Sequence, residues 1–314
     1  MATQAFSPRT RVDRRVVKFG CDAARASARG ELGTTSFVSD VTIPSSGSKQ
    51  AVLDGVSMTT ESLRRRLPVL VFVPDRLAVV KGGPLVRRMY FDRMLGRLHP
   101  AAGDAPSDYA AALAQRNAAL RRVALEVARP GSIDPWDRAV AELGTKLDAA
   151  RADLVDRIAA RFTAQCGSIG LDEATLSYEH QPVNEDDLAQ ARERDIRRRS
   201  TTVGPHLRDI AIRFEDMDLR GFGSQGQQRL AVLGLLLAEA ETLNAERDVV
   251  PLILLDDVLS ELDGDRRRNL LAALAPTAQT VLTTAVLDEG LTGEANPASV
   301  VRIERGTAIE AEAA

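Results

Sequence analysis

The stretch Leu252-Ile253-Leu254-Leu255-Asp256-Asp257 constrains the fold of this chain more than any other. Four apolar residues in a row predict a short strand in the middle of a sheet. Two acids close it. In open α/β sheets ligands bind at the C-terminal ends of the strands. Successive side chains on a strand point in opposite directions, so Asp256 and Asp257 would do different jobs. One carboxylate can hold Mg²⁺, directly or through water. The other can orient and deprotonate a water for attack on a phosphate. Without chemistry, the same residues read as a strand and an acidic turn in which Asp263 caps a helix over 265–274. Two carboxylates ending a buried strand are costly, however, unless a cation or donors compensate them.

A second motif precedes the first. Gly223-Ser224-Gln225-Gly226-Gln227-Gln228-Arg229 runs into Leu230-Ala231-Val232-Leu233. Ser224 is placed to cap a helix, and Gln227 completes a capping-box pattern. Gly226 lets another backbone approach the first turn. The unpaired N–H groups and positive dipole end of such a tip form an anion site. Taken alone it is equally an ordinary capped helix after a glycine turn. Together and in this order, the helix tip, the strand with twin acids and the Ser260-x-x-Asp263 turn resemble ABC-type ATPase heads. There two heads sandwich two ATP molecules, and the signature helix of one meets the γ-phosphate held by the other.

Within that class the chain resembles the RecF family. The resemblance is carried by Phe72-Val73-Pro74-Asp75-Arg76-Leu77, Val79-Val80-Lys81-Gly82-Gly83-Pro84, Arg87-Arg88 and Phe91-Asp92. It continues through Tyr109, Gln115-Arg116-Asn117, Trp136-Asp137, Val203-Gly204-Pro205-His206 and the two motifs above. The Gln-Gln-Arg ending and the Asp-Asp pair separate the chain from ABC transporter subunits, and the lack of a long coiled coil separates it from long-armed SMC proteins.

The resemblance implies an α/β fold: an ABC-type (SMC-like) ATPase head with an inserted helical lobe. The head would comprise 1–83 and 200–314, and the mostly helical lobe 84–199. ATP and Mg²⁺ would be the cofactors. Asp256 would hold the metal and Asp257 would be the catalytic base. Ser224 and Gly226, flanked by Gln225 and Gln227, would contact the γ-phosphate of a partner's ATP. Asp263 would belong to the dimer-communicating turn and Thr283 would occupy the switch position. The resemblance also implies an ATP-dependent homodimer on DNA, single-stranded, gapped or double-stranded, acting with RecO and RecR to load RecA at single-strand gaps.

One family element is not found. The family opens with a strand, a G-x-x-G-x-G-K-T phosphate loop and a helix. None of the four lysines, Lys18, Lys49, Lys81 and Lys146, stands between Gly and Ser or Thr. The region Arg9-Thr10 with Arg14–Gly20 matches family sequence just after that missing helix. The expectation is a late start, with the first strand and phosphate loop absent. The 314 residues alone would then fold marginally and not hydrolyse ATP, because the loop supplies most of the β/γ-phosphate binding. A non-catalytic DNA- or protein-binding remnant is the alternative.

Elsewhere, Arg14–Phe19 is a candidate strand, Leu67–Pro74 a buried strand and Thr175–His180 another. Residues 107–165 read as two helices split at Pro130-Gly131, with Leu143, Leu147, Leu154 and Ile158 as core. The charged stretch Asn184–Arg199 reads as a solvated helix face. A net charge of −3 does not announce a nucleic-acid binder, so DNA contact must be local. The candidates are Arg64, Arg65, Arg66, Arg87, Arg88, Arg93 and Arg97, each of which is equally a salt-bridged surface residue. In the loop after Val203, Leu207-Arg208 replaces the family's Arg-Asp, so no DNA role is assigned there. Cys21 and Cys166 have no metal-ligand spacing and fit a reducing compartment. No apolar run approaches a membrane span or signal peptide, which implies a cytoplasmic protein without membrane partners.

Overall fold

The computed structural model describes residues 1–7, 10, 12–260, 262–274, 279–285, 299–305 and 307–311. Arg9, quoted above, lies outside them. The elements run β1 Ala23–Leu32, β2 Thr35–Pro44, β3 Gln50–Leu53, β4 Val56–Met58, α1 Thr60–Arg66 and β5 Val69–Phe72. There follow α2 Ala78–Lys81, α3 Pro84–Leu98, α4 Ala105–Ala124, α5 Asp134–Ser168, β6 Ala174–Tyr178 and α6 Glu185–Arg198. Then come β7 Ile210–Phe214, β8 Met217–Asp218, α7 Leu219–Phe222, α8 Gln225–Arg247 and β9 Leu252–Asp256. The last are α9 Gly264–Leu274, β10 Thr280–Thr283, β11 Val300–Glu304 and β12 Thr307–Ala311. The chain divides into two compact units, 1–76 with 164–173 and 224–314, and 77–163 with 174–223.

The first unit is built on two sheets. A four-stranded antiparallel sheet runs in the order β1-β2-β3-β4. Its inner face packs Val41, Ile43, Ala51 and Leu53 against Leu63 and Leu67, with Ala5 in the same cluster. Arg14–Phe19 is not a strand. Asp13–Val16 is a single 3₁₀ turn with no buried residue, and Phe19 is fully exposed. Three consecutive charged residues, Asp13-Arg14-Arg15, leave no alternating apolar face for a strand to bury. The strand lies further on: β1 and β2, each of ten residues, form a hairpin turned at Gly33, whose φ of 61° suits glycine.

The second sheet is parallel, in the order β10-β9-β5. Its strand β5 packs on α8, which is buried continuously from Gln228 to Ala240. A helix apolar on all sides belongs inside a domain. Each Leu buried there contributes about 1.5–3 kcal/mol. The end of α5 also enters this unit. It closes on Gly170, with φ 86°, and the Leu171 N–H returns to the Cys166 carbonyl at 2.8 Å.

The second unit is mostly helical, with the antiparallel sheet β6-β7-β8. Leu147, Leu154 and Ile158 are buried on α5, and Leu143 packs partly buried. The α6 face is not purely solvated. Leu188, Ala191 and Asp195 point inward, and Asp195 is completely buried. It meets Arg116, also completely buried, whose Nη1 donates to Asp195 Oδ2 at 2.7 Å and to Thr201 Oγ1 at 2.8 Å. Arg116 Nε donates to Asp137 at 2.6 Å.

Gly234 sets how closely α8 and the end of α5 approach. A Cβ there would stand 2.3 Å from the Cys166 Sγ. Gly234→Ala is therefore expected to lower unfolding stability by about 1–3 kcal/mol through overpacking. Adding Cys166→Ala should return most of that loss. Denaturant titration checks this, and a double variant as unstable as Gly234→Ala would refute the contact.

Candidate functional site

The twin acids sit at the C-terminal end of β9, in the first unit. Parallel pairing places Asp256 opposite Thr283, the last residue of β10. The Thr283 hydroxyl donates to Asp256 Oδ1 at 2.6 Å. The chain then turns sharply. Asp257 takes φ 50°, its N–H donates to the Thr283 carbonyl at 3.1 Å, and its own carbonyl accepts from Ser260 Oγ at 3.2 Å. A left-handed conformation is uncommon outside glycine and more readily reached by Asp. Here it swings the second carboxylate off the line of the strand. Asp256, Asp257 and Thr283 thus form one cluster, as the alternation of a strand alone would not require.

Both carboxylates are exposed. The desolvation cost argued from the buried strand does not apply to them, because burial stops at Leu255. Among the described residues the Asp257 carboxylate has no protein partner, and the Thr283 hydroxyl is the one side chain that reaches Asp256. No group of three or more His, Cys, Asp or Glu among the described residues could hold a metal ion by itself. The open oxygen of Asp256 is of the donor type that suits a Mg²⁺ with waters and other oxygens as its remaining ligands.

The second cluster is the tip of α8. The Ser224 N–H donates to Gln227 Oε1 at 2.8 Å and the Gln227 N–H to Ser224 Oγ at 3.2 Å, the full capping box. This leaves the amides of Gln225 and Gly226 outward at the positive end of the helix. Asp263 caps α9 through the Arg266 N–H at 2.9 Å. Arg266, not singled out in the sequence, joins this cluster. Its guanidinium bridges Asp263 at 3.4 Å, and its Nη1 would lie 3.8 Å from a Cβ at Gly226.

The arginines considered for DNA contact resolve mostly into structure. Arg87 is buried and forms a two-pronged pair with Asp209, at 2.9 and 2.5 Å. Arg88 donates to the Arg208 carbonyl at 2.8 Å, and Arg64 to the Gln4 carbonyl at 2.7 Å. The loop 201–209 is held residue by residue within the second unit. Arg151 reaches the Pro205 carbonyl at 2.8 Å while pairing with Asp92. Gly204 has φ 124°, and a Cβ there would collide with the Tyr109 hydroxyl at 2.6 Å. His206 Nε2 donates to the Thr201 carbonyl at 3.2 Å, so Nδ1 accepts from the Tyr109 hydroxyl at 2.7 Å. Burial holds the His206 pKa below the ordinary histidine value, keeping the ring neutral. This wedge has no sequence periodicity, which is why residue patterns miss it.

No family model matches the chain. The DNA replication and repair protein RecF of Heliobacterium modesticaldum is 36% identical over 258 residues, 78% of this chain and 69% of that protein. That of Shouchella clausii is 31% identical, covering 96% of this chain and 86% of that protein. The chain belongs to the RecF family. In fold it is similar to a recombination mediator protein RecF solved with ATP, with TM-score 0.86, 23% identity and coverage of 99% of this chain and 86% of that one. An SMC head bound to the C-terminal winged-helix domain of ScpA aligns less closely, with TM-score 0.52, 13% identity and 93% and 74% coverage. The fold is the α/β ABC-type ATPase head expected from the two motifs. Among the described residues no helix is long and apolar enough to cross a membrane.

If Thr283 positions Asp256, their contributions to stability are coupled. Thr283→Val and Asp256→Ala should fall short of additivity by about 0.5–1 kcal/mol in a denaturation cycle. Strict additivity would mean that the hydroxyl does not hold the carboxylate.

Proposed function

We propose that the chain is a RecF-type ABC ATPase of DNA replication and recombinational repair. It closes as an ATP-dependent homodimer on single-stranded, gapped or double-stranded DNA and acts in the cytoplasm with RecO and RecR to help load RecA. The observation that carries this reading is the Asp256-Asp257-Thr283 cluster, together with a capped, glycine-bearing helix tip in the same unit.

In this reading Asp256 holds Mg²⁺, held in orientation by the Thr283 hydroxyl. The metal, when bound, neutralises phosphate charge. Asp257, turned off the strand by its left-handed backbone, orients the attacking water and takes its proton. Thr283 senses the γ-phosphate from the neighbouring strand end. The Gln225 and Gly226 N–H groups and the Ser224 hydroxyl are presented to the γ-phosphate bound to a second copy, while Gln227 holds the cap. Asp263 carries the turn that meets its counterpart. ATP binding thereby becomes dimer closure. The head spans 1–83 and 200–314 as a functional body, with 84–199 as its helical lobe.

These residues do not hold the β- and γ-phosphates of their own nucleotide, since no lysine of the chain stands in a Gly-Lys-Ser/Thr loop. The 314 residues are expected to show no Mg-ATP turnover above background. Extended at its N-terminus by a strand and a phosphate loop of the Gly-Lys-Ser/Thr type, the protein should gain turnover. Asp257→Asn should lower that by about a hundredfold or more. Turnover by the 314 residues alone would remove the claim that they lack a working phosphate loop. An unaffected Asp257→Asn in the extended protein would remove the base. DNA binding retained with no turnover even after extension would favour the non-catalytic remnant.

A further inference from the structure

With Arg64, Arg87 and Arg88 committed to carbonyls and to Asp209, a polyanion needs another cationic surface. The second unit offers one where α4 and α6 end. These helices pack side by side and run in the same direction. Ala112 of α4 shares a buried cluster with Leu188 of α6. One turn on, Arg116 reaches the Leu188 carbonyl at 3.4 Å and Asp195 at 2.7 Å. Further along, Leu120 and Val123 pack with Ile196. The chain leaving α6 then returns to Asn117, whose Oδ1 accepts from the Thr201 N–H at 2.8 Å. Arg121 lies one turn beyond Asn117 on the same stripe of α4. Both C-termini therefore emerge at one end of the second unit, carrying Arg121 and Arg122 from α4 and Arg198 and Arg199 from α6.

All four arginines are exposed, and among the described residues none of their guanidinium groups has a protein partner. The acids nearby do not balance them. Asp137 and Asp195 are already paired with Arg116, and Glu193 with Arg197 at 3.8 Å, which leaves Glu126. Basic residues in a last turn ordinarily offset the negative end of a helix. Two such ends carry roughly one elementary charge between them, so four cations overshoot it. Arg199 adds a second sign. It closes α6 with φ 57° and ψ 27°, a left-handed position that glycine or asparagine fills more easily. Arginine contributes a side chain there, not a better backbone. Trp136 is packed with Leu120 and Ile196, so it offers no ring for stacking a base. What remains is a set of planar forks suited to phosphate oxygens.

We propose that the joint C-terminal end of α4 and α6 binds the phosphate backbone of duplex nucleic acid through Arg121, Arg122, Arg198 and Arg199. Such contacts position the protein and carry no base sequence information. The proposal rests on the DNA reading above and gives that reading a surface.

Fluorescence anisotropy of a labelled duplex, read across a salt series with the 314-residue chain and no nucleotide, tests it. Replacing all four arginines by glutamine should lower the slope of log affinity against log salt by about three to four units and weaken binding at low salt by roughly tenfold or more. Thermal melting should stay at the parent value, because exposed charges stabilise little. Replacing the four by lysine should keep most of the slope, since the charges stay. Arg14→Gln, Arg15→Gln, Arg29→Gln and Arg213→Gln together remove the same charge from exposed positions elsewhere and should change little. A glutamine variant with the parent's slope, or a control that loses as much, would overturn the proposal and leave the DNA reading standing. Polyglutamate bound as tightly as the duplex would assign the surface to acidic protein instead. A parent chain that binds no duplex would remove both.

Discussion

The parallel register of β5, β9 and β10 is the constraint on which the rest depends. It pairs Val69 with Leu252 and Thr283 with Asp256, so that the C-terminal end of the sheet brings Asp256 and Thr283 side by side. On β9, Ile253 and Leu255 are buried while Leu254 between them is only partly so, and such a one-sided burial leaves little freedom to slip. A slip by one residue would remove the Thr283 hydroxyl from Asp256 and turn Asp257 back toward the strand. Helix α8, packed against this sheet and buried over most of its length, fixes where its capped tip emerges. The Gly234–Cys166 approach shows how little slack that packing has.

The second unit is organised by buried charge more than by apolar periodicity. Arg116 between Asp137 and Asp195, Arg151 on Asp92 and Arg87 on Asp209 are all paired and hydrogen-bonded. Such pairs contribute specificity more securely than net stability, and breaking one leaves an uncompensated ion. Here they converge on the loop 201–209, where Tyr109 and His206 close against a glycine that tolerates no side chain. The result is an irregular segment held as firmly as a strand.

Much of this was legible in the sequence, and the failures have a common cause. The strand over 252–255, the capping box at Ser224, the Asp263 cap and the helix break at Pro130-Gly131 are local signals and appear where they were read. Thr283 was placed beside the acids only through family resemblance, since pairing across a sheet is not local. Arg14–Phe19 resembles a strand only through Val16-Val17, and the charges before them leave no apolar face to bury. Arg87, Arg116 and Asp195 were read as surface groups or left without a role, because charge in a sequence carries no mark of burial. Asp195 did carry one hint: it continues the Leu188, Ala191 spacing of an inward helix face.

The central claim is that the α8 tip of one copy and the twin acids of another serve the same triphosphate. Subunit mixing in the extended protein tests it most directly. Ser224→Arg copies and Asp257→Asn copies should each be inactive alone. Mixed in equal amounts, random pairing leaves one intact site in each mixed dimer, and turnover should return to roughly a quarter of the parent value. A mixture as inactive as its components would contradict the shared site, as would full activity in Ser224→Arg by itself.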